Sequence, residues 1–94
     1  MTVHELKVSE KWYSALWFGF KNFEVRKNDR NFQIGDTIIL NEVTYDKDSK
    51  AIPTGRRLKA YIMFVLRAED FPDGLKEGYC VLALSETVEE EKQS

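Results

Sequence analysis

Apolar and polar residues alternate along most of this chain, and the period changes once, near the start. In residues 4–8, Leu6 and Val8 share one side of an extended strand, with His4 in phase with them. Over residues 10–18 the period lengthens. Trp12, Tyr13, Leu16, Trp17 and then Phe20 fall on one stripe when turned at about 100° per residue, which predicts a short amphipathic helix. Ser9 offers an N-cap hydroxyl, Glu10 a negative charge at the positive end of the helix dipole, and Gly19 a left-handed stop. Phe18 lies off the stripe and is expected to pack under a neighbouring loop.

Strand signals dominate after Gly19. Residues 22–27 alternate, with Phe23 and Val25 on one face and Glu24 and Arg26 on the other. Residues 28–31 read as a polar turn, and residues 32–35 lead into a second turn at Gly35 and Asp36. Residues 37–43 form a strand rich in β-branched side chains. Residues 44–55, with Asp46, Asp48, Ser49 and Pro53, read as a long, mobile hairpin connection. Residues 57–66 are the longest strand, whose even positions Leu58, Ala60, Ile62, Phe64 and Leu66 make an apolar face. Residues 67–76 are irregular and 78–84 are the last strand. One early helix followed by strands without crossover helices predicts an α+β, mostly β fold. Its antiparallel sheet is expected to curl into a small β-barrel with the one N-terminal helix over an end or face. The strand–helix–strand opening allows one parallel pair.

Composition narrows the function classes. Ninety-four residues fit one domain, expected over residues 1–85. A hydrophobic content of 43% with 13% aromatic residues excludes a disordered chain. No apolar run approaches the roughly 18 residues of a membrane span, and residues 1–7 lack the apolar stretch of a secretory signal. One cysteine, Cys80, excludes a disulfide scaffold or a zinc ribbon, so a reduced cytoplasm is expected. With a single histidine beside it, no metal-ligand spacing is present, and no metal or cofactor is expected. The formal charge of −2 splits into −3 for residues 86–94 (four acids, one lysine) and +1 for the rest. That balance argues against a generic nucleic-acid coat and makes residues 86–94 an acidic, flexible, solvated tail.

Polar chemistry concentrates between residues 21 and 30. Lys21, Glu24, Arg26, Lys27, Asn28, Asp29 and Arg30 crowd one short segment. Glu24 and Arg26 share a strand face, and Lys21 follows the helix stop, where it can swing over that face. A carboxylate between two cations can orient an arginine fork toward a phosphate or a base edge, and it is equally the pattern of a salt-bridged exposed strand. Arg56, Arg57 and Lys59 form a second basic cluster, read either as an extension of a nucleic-acid track or as a solvated strand end. Cys80 reads as a buried, inert thiol, and nothing orients a Cys80–His4 pair.

The run G-x-K-x-x-E-x-R, made of Gly19, Lys21, Glu24 and Arg26, resembles the signature of ASCH domains of the PUA-like superfamily. H-E-L-K at residues 4–7, F-E-V-R-K-N-D-R at 23–30, I-G-D at 34–36 and E-G-Y-C-V-L at 77–82 resemble a small prokaryotic and phage branch of it. The resemblance implies a PUA-like (ASCH) barrel with a cleft beside the first helix, facing RNA or a modified nucleotide. It places Lys21, Glu24 and Arg26 in that cleft, with Lys27, Asn28, Arg30 and His4 as further binding candidates. Bases would also need exposed rings to stack on. Phe18, Phe20, Phe32 and Tyr79 lie near the signature or near loop ends, and each is expected in the core.

The resemblance also implies an alternative. Some bacterial ASCH proteins are amidohydrolases on an acetylated cytidine, using the lysine, a threonine at the position of Glu24 and a distant glutamate. This chain departs from that pattern at Glu24, and neither Glu69 nor Glu77 matches the distant acid. As an enzyme it would rely on Lys21 and Glu24 as catalytic groups. The expected function is therefore a monomeric RNA- or nucleotide-binding domain. The alternatives are a hydrolase on a modified nucleoside and a phage or host regulatory module that binds a protein partner.

Overall fold

The computed structural model describes residues 1–90. Its elements run β1 (Val3–Ser9), α1 (Glu10–Trp17), β2 (Phe23–Lys27), β3 (Thr37–Tyr45), β4 (Ala51–Arg67), a single 3-10 turn at Ala68–Asp70, β5 (Tyr79–Leu84) and β6 (Val88–Glu89). This is a mostly β domain with one helix. The strands follow the order β1-β3-β4-β5-β2, with β6 added alongside β4. β1 runs parallel to β3 and every other pairing is antiparallel. The parallel pair allowed by the sequence thus joins β1 to β3, while β2 pairs with β5.

Strand phase sets the core. On β1, His4, Leu6 and Val8 point inward; on β5, Cys80, Leu82 and Leu84 do. They meet Ile38 and Leu40 of β3, Leu58, Ala60, Ile62 and Val65 of β4, Phe32, and Tyr13 and Leu16 of α1. Burying a side chain of Leu or Ile size contributes about 1.5–3 kcal/mol, and this layer accounts for most of the apolar stabilisation.

The apolar stripe on α1 is wider than the face the helix buries. Only Tyr13 and Leu16 are buried, while Trp12 and Trp17 stay partly exposed. Phe18 and Phe20 are not in the core. They are 66% and 85% exposed and stack on each other, with ring centroids 5.8 Å apart. Ser9 takes the extended N-cap conformation without a side-chain bond to the first turn. The C-terminal stop is as the sequence predicts. Gly19 has φ +75°, its N–H donates to Leu16 O, and the Phe20 N–H donates to Ala15 O. This is a Schellman cap, and it turns the chain out of α1 toward β2.

Two strand expectations are corrected. Residues 44–55 are not a long loop. β3 continues to Tyr45 and β4 starts at Ala51, so the hairpin turn holds only residues 46–50, tied by the Asp46 carboxylate accepting from the Asp48 and Lys50 N–H groups. Pro53 is tolerated because its end of β4 pairs with β3 alone. The even-numbered face of β4 also breaks. A bulge between Ile62 and Phe64 shifts the register, so Phe64 turns outward and Val65 takes the core position.

The first part of the acidic segment is not loose. Val88–Glu89 pairs with Leu58 and Lys59, the Thr87 hydroxyl donates to Leu16 O, and Glu90 lies by Arg57. Residues 91–94 lie outside the described residues. The ends of the strand path, β1 and β2, share no ladder among the described residues, so the sheet is open where a closed barrel was expected.

Candidate functional site

The open seam between β1 and β2 is where the polar signature collects. The Schellman cap delivers Lys21 to the mouth of β2, and strand alternation turns Glu24 and Arg26 to the inner side. Glu24 is 5% exposed. Its carboxylate accepts from Lys21 Nζ and, at 3.0 Å, from Arg26 Nε. Lys21 Nζ also donates to Phe23 O at 2.6 Å, and Arg26 Nη2 donates to Lys7 O on β1 at 2.7 Å. Arg30 makes a second bridge, donating to Glu5 O at 2.6 Å. Two arginines thus tie the exposed edge of β1 to the β2 side of the seam.

Beside this network lies a cleft of about 710 Å³. β1 contributes Lys7, Val8 and Ser9, and α1 contributes Trp12 and Ala15. Phe20, Lys21, Phe23, Glu24, Val25, Arg26 and Tyr45 complete the wall. Trp12, Phe20, Phe23 and Tyr45 are all substantially exposed. The cations Lys7, Lys21 and Arg26 stand against the single carboxylate of Glu24, which leaves the lining at +2. The Lys21 ammonium sits 5.0 Å from the Phe23 ring centroid and 5.7 Å from that of Trp12, within cation–π range of both.

The other candidates fall elsewhere. Lys27, Asn28 and Arg30 lie outside the cleft lining. Arg30 serves the seam through Glu5, and Asn28 donates its backbone N–H to Gly78 O and lines a separate hollow with Glu69 and Glu77. His4 is a core residue. It is buried, its Nε2 lies 2.8 Å from Asp36 Oδ2, and its ring meets Phe32 edge-on at 4.7 Å. The Thr2 and Gln33 N–H groups also donate to Asp36. The hydrogen bond to His4, aided by these two, holds the Asp36 carboxyl below its ordinary 3.8 despite desolvation.

Phe32 is buried as expected, and Tyr79 is half-buried beside Glu69 and Glu77. Cys80 is fully buried, and that burial pushes its thiol up against the opposing pull of Arg67. The second basic cluster is engaged. Arg56 lies over the Tyr13 and Trp17 rings, Arg57 reaches Glu5 and Glu90, and Lys59 lies over Tyr61. Among the described residues no set of three or more His, Cys, Asp or Glu side chains could hold a metal. No helix there is long and apolar enough to cross a membrane.

Sequence reasoning missed Lys7, Trp12, Phe23 and Tyr45 as cleft residues. Lys7 has a signal, since it sits in the outward phase of β1 between two inward apolar residues. Tyr45 was hidden by ending β3 early.

Comparison with known proteins agrees with a single family running through both the sheet and this seam. The chain is similar to an uncharacterised 12.9 kDa protein of the GpA 3′ region of Escherichia phage P2, 36% identical over 69 residues. The match covers 73% of this chain and 59% of the phage protein, so the chain spans about three-fifths of that relative's length. The family model for DUF3850, a domain of unknown function, matches residues 3–84, which takes in every strand from β1 to β5 and the whole cleft, and the chain belongs to that family.

Proposed function

We propose that the cleft at the β1–β2 seam binds a nucleotide unit, either within single-stranded RNA or free, and that the domain is an ASCH-type, PUA-like binder. The observation that carries this reading is the joining, in one cleft, of four exposed rings with three cations around one buried carboxylate. Bases stacked on aromatic side chains gain about 1–3 kcal/mol each, and lysine or arginine positions phosphate. The cleft volume of about 710 Å³ suits a mononucleotide, lying inside the roughly 300–1,000 Å³ of small-ligand sites.

The side chains divide the work. Lys21 and Arg26 are committed to Glu24 and to backbone carbonyls, so they shape the floor and set its positive potential. Lys7 and the rings face the ligand. A net of +2 predicts modest affinity with a shallow salt slope. The test is an anisotropy titration of a labelled single-stranded oligoribonucleotide at low and moderate salt, on wild type, Lys7→Ala and Phe20→Ala. Neither substitution removes a side chain that holds the fold. Salt-sensitive binding weakened severalfold in both variants is expected; wild type that binds neither this probe nor nucleoside monophosphates at low salt refutes the reading.

A second reading, amide hydrolysis on a modified nucleoside, draws on the contact of Lys21 with Glu24 inside the cleft. Because Glu69 and Glu77 line another hollow, Lys21 and Glu24 would share the acid and base roles alone. Acetate release from an acetylated cytidine, abolished in Glu24→Gln while nucleotide binding survives, is the expected result for an enzyme. No release by the wild type removes this reading.

A further inference from the structure

The seam's backbone groups are not all treated alike. On β2, Asn22 O accepts from Leu84 N–H and Asn28 N–H donates to Gly78 O, so the even-numbered residues face β5. By the alternation of an antiparallel ladder, the N–H and C=O groups of Phe23, Val25 and Lys27 point the other way, into the seam. The Phe23 carbonyl confirms this, since it accepts from Lys21 Nζ. On β1 the seam-facing carbonyls of Glu5 and Lys7 accept from Arg30 and Arg26. Three carbonyls along the seam are thus capped by the protein's own cations. Val25 lines the cleft, and its N–H and C=O point away from β5, the one strand that β2 pairs with among the described residues.

A donor and an acceptor on one residue, outside any ladder among the described residues and side by side at an open strand edge, match the hydrogen-bonding edge of a nucleobase, where an acceptor lies beside a donor. Base stacking supplies affinity without discrimination, so a cleft that recognises a particular base needs such an edge contact. We infer that the Val25 backbone is the base-reading element of this cleft: its N–H donates to, and its C=O accepts from, the edge of a base stacked among Trp12, Phe20, Phe23 and Tyr45, while Lys7 takes the phosphate. The inference rests on the nucleotide reading above. It places specificity in the main chain and leaves the charged signature to support it.

The experiment is an amide proton–nitrogen correlation titration of the whole chain with each of the four ribonucleoside monophosphates, and separately with a mixed-sequence single-stranded oligoribonucleotide. A downfield shift of the Val25 amide proton is expected with the preferred base, larger than those of Phe23 and Lys27, with Asn28 as a paired control. Saturation by a monophosphate identifies a free nucleotide as sufficient ligand; a Val25 shift only with the oligonucleotide identifies the RNA strand.

Val25→Pro deletes the outward N–H at an edge position, where proline costs the ladder nothing, and Val25→Thr keeps it. Loss of one hydrogen bond should weaken binding by about fivefold to tenfold in Val25→Pro and leave Val25→Thr within about twofold. If Val25→Pro does not fold, the wild-type titration alone decides. Binding that Lys7→Ala and Phe20→Ala weaken, with a silent Val25 amide or equal shifts along all of β2, overturns the base-reading role and leaves the cleft reading standing. No cleft amide moving with any probe overturns both.

Discussion

Neutralising Glu24 tests whether the signature is structural at its centre. Glu24→Gln keeps the size and one oxygen acceptor but turns an NH2 donor toward one of two cations that now lack a counter-charge. In the structure Glu24 accepts from both Lys21 and Arg26, and the Lys21 side chain is itself only 14% exposed. Removing one partner of a buried pair costs about 3–5 kcal/mol where water is shut out. Arg26, at 26% exposed, regains some hydration, which brings the expected loss to roughly 2–3 kcal/mol. For a domain of this size that is a fall in Tm of roughly 10–20 °C. The assay is urea unfolding followed by tryptophan fluorescence, with the m-value checked for constancy. Lys21→Met, which leaves the carboxylate paired with Arg26, should cost about 1 kcal/mol. A Glu24→Gln chain within about 0.5 kcal/mol of wild type refutes the reasoning, since that is the cost of an exposed pair.

Three further outcomes are expected. Because the Asp36 carboxyl is held below its ordinary 3.8, its contribution to stability is complete above that value and is lost as pH falls through 3.8 toward the folded value; acid titration of Asp36→Asn should therefore show a flatter loss below pH 4 than wild type. Truncation after Ser85 removes the β6 pairing and the Thr87 bond to Leu16 O, and should lower stability by about 1–2 kcal/mol in denaturant melts; an unchanged midpoint would mean that residues 86–90 add nothing to the fold. The buried Cys80 thiol should resist a thiol-specific chromogenic reagent in the native state at mildly alkaline pH and react stoichiometrically on unfolding, whereas fast native labelling would contradict its burial.

What the sequence made legible follows from what periodicity reports. β1, α1 and β5 were visible because the apolar face of each is buried, β2 was visible by its alternation although its polar face with Glu24 is the one turned inward, and Gly19 announced its stop because only a left-handed residue closes that turn. The bulge at Met63 was not visible. It is a backbone event whose residues look like uninterrupted alternation, and it exchanges Phe64 for Val65 in the core. The long hairpin was obscured because Pro53 and Gly55 usually mark loops, yet here they lie in a strand end with one neighbour. At the site, Lys21, Glu24 and Arg26 were legible as a motif, and the structure brings them into contact. The rings were not, because hydrophobic phase tells that Trp12 and Phe20 share a stripe and says nothing of a cleft at its margin. His4 illustrates the reverse case: a residue prized in functional readings is a core hydrogen-bond partner of Asp36.

The strand order has a consequence for how the site comes into being. β3, β4 and β5 follow one another in the chain and pair as neighbours, so they can collapse together as the central unit. The first two of these strands in chain order are the outermost: β1 waits for β3, and β2 waits for β5, with Phe23 paired to Ala83 across about two-thirds of the chain's length. Such long-range pairings form slowly, because the loop they close must be ordered before contacts reward it. The cleft stands between exactly those two late-docking strands. On the ribosome it is therefore assembled only when residues up to Leu84 have emerged, and a chain halted after Arg26 but before β5 carries the full G-x-K-x-x-E-x-R motif with no site around it.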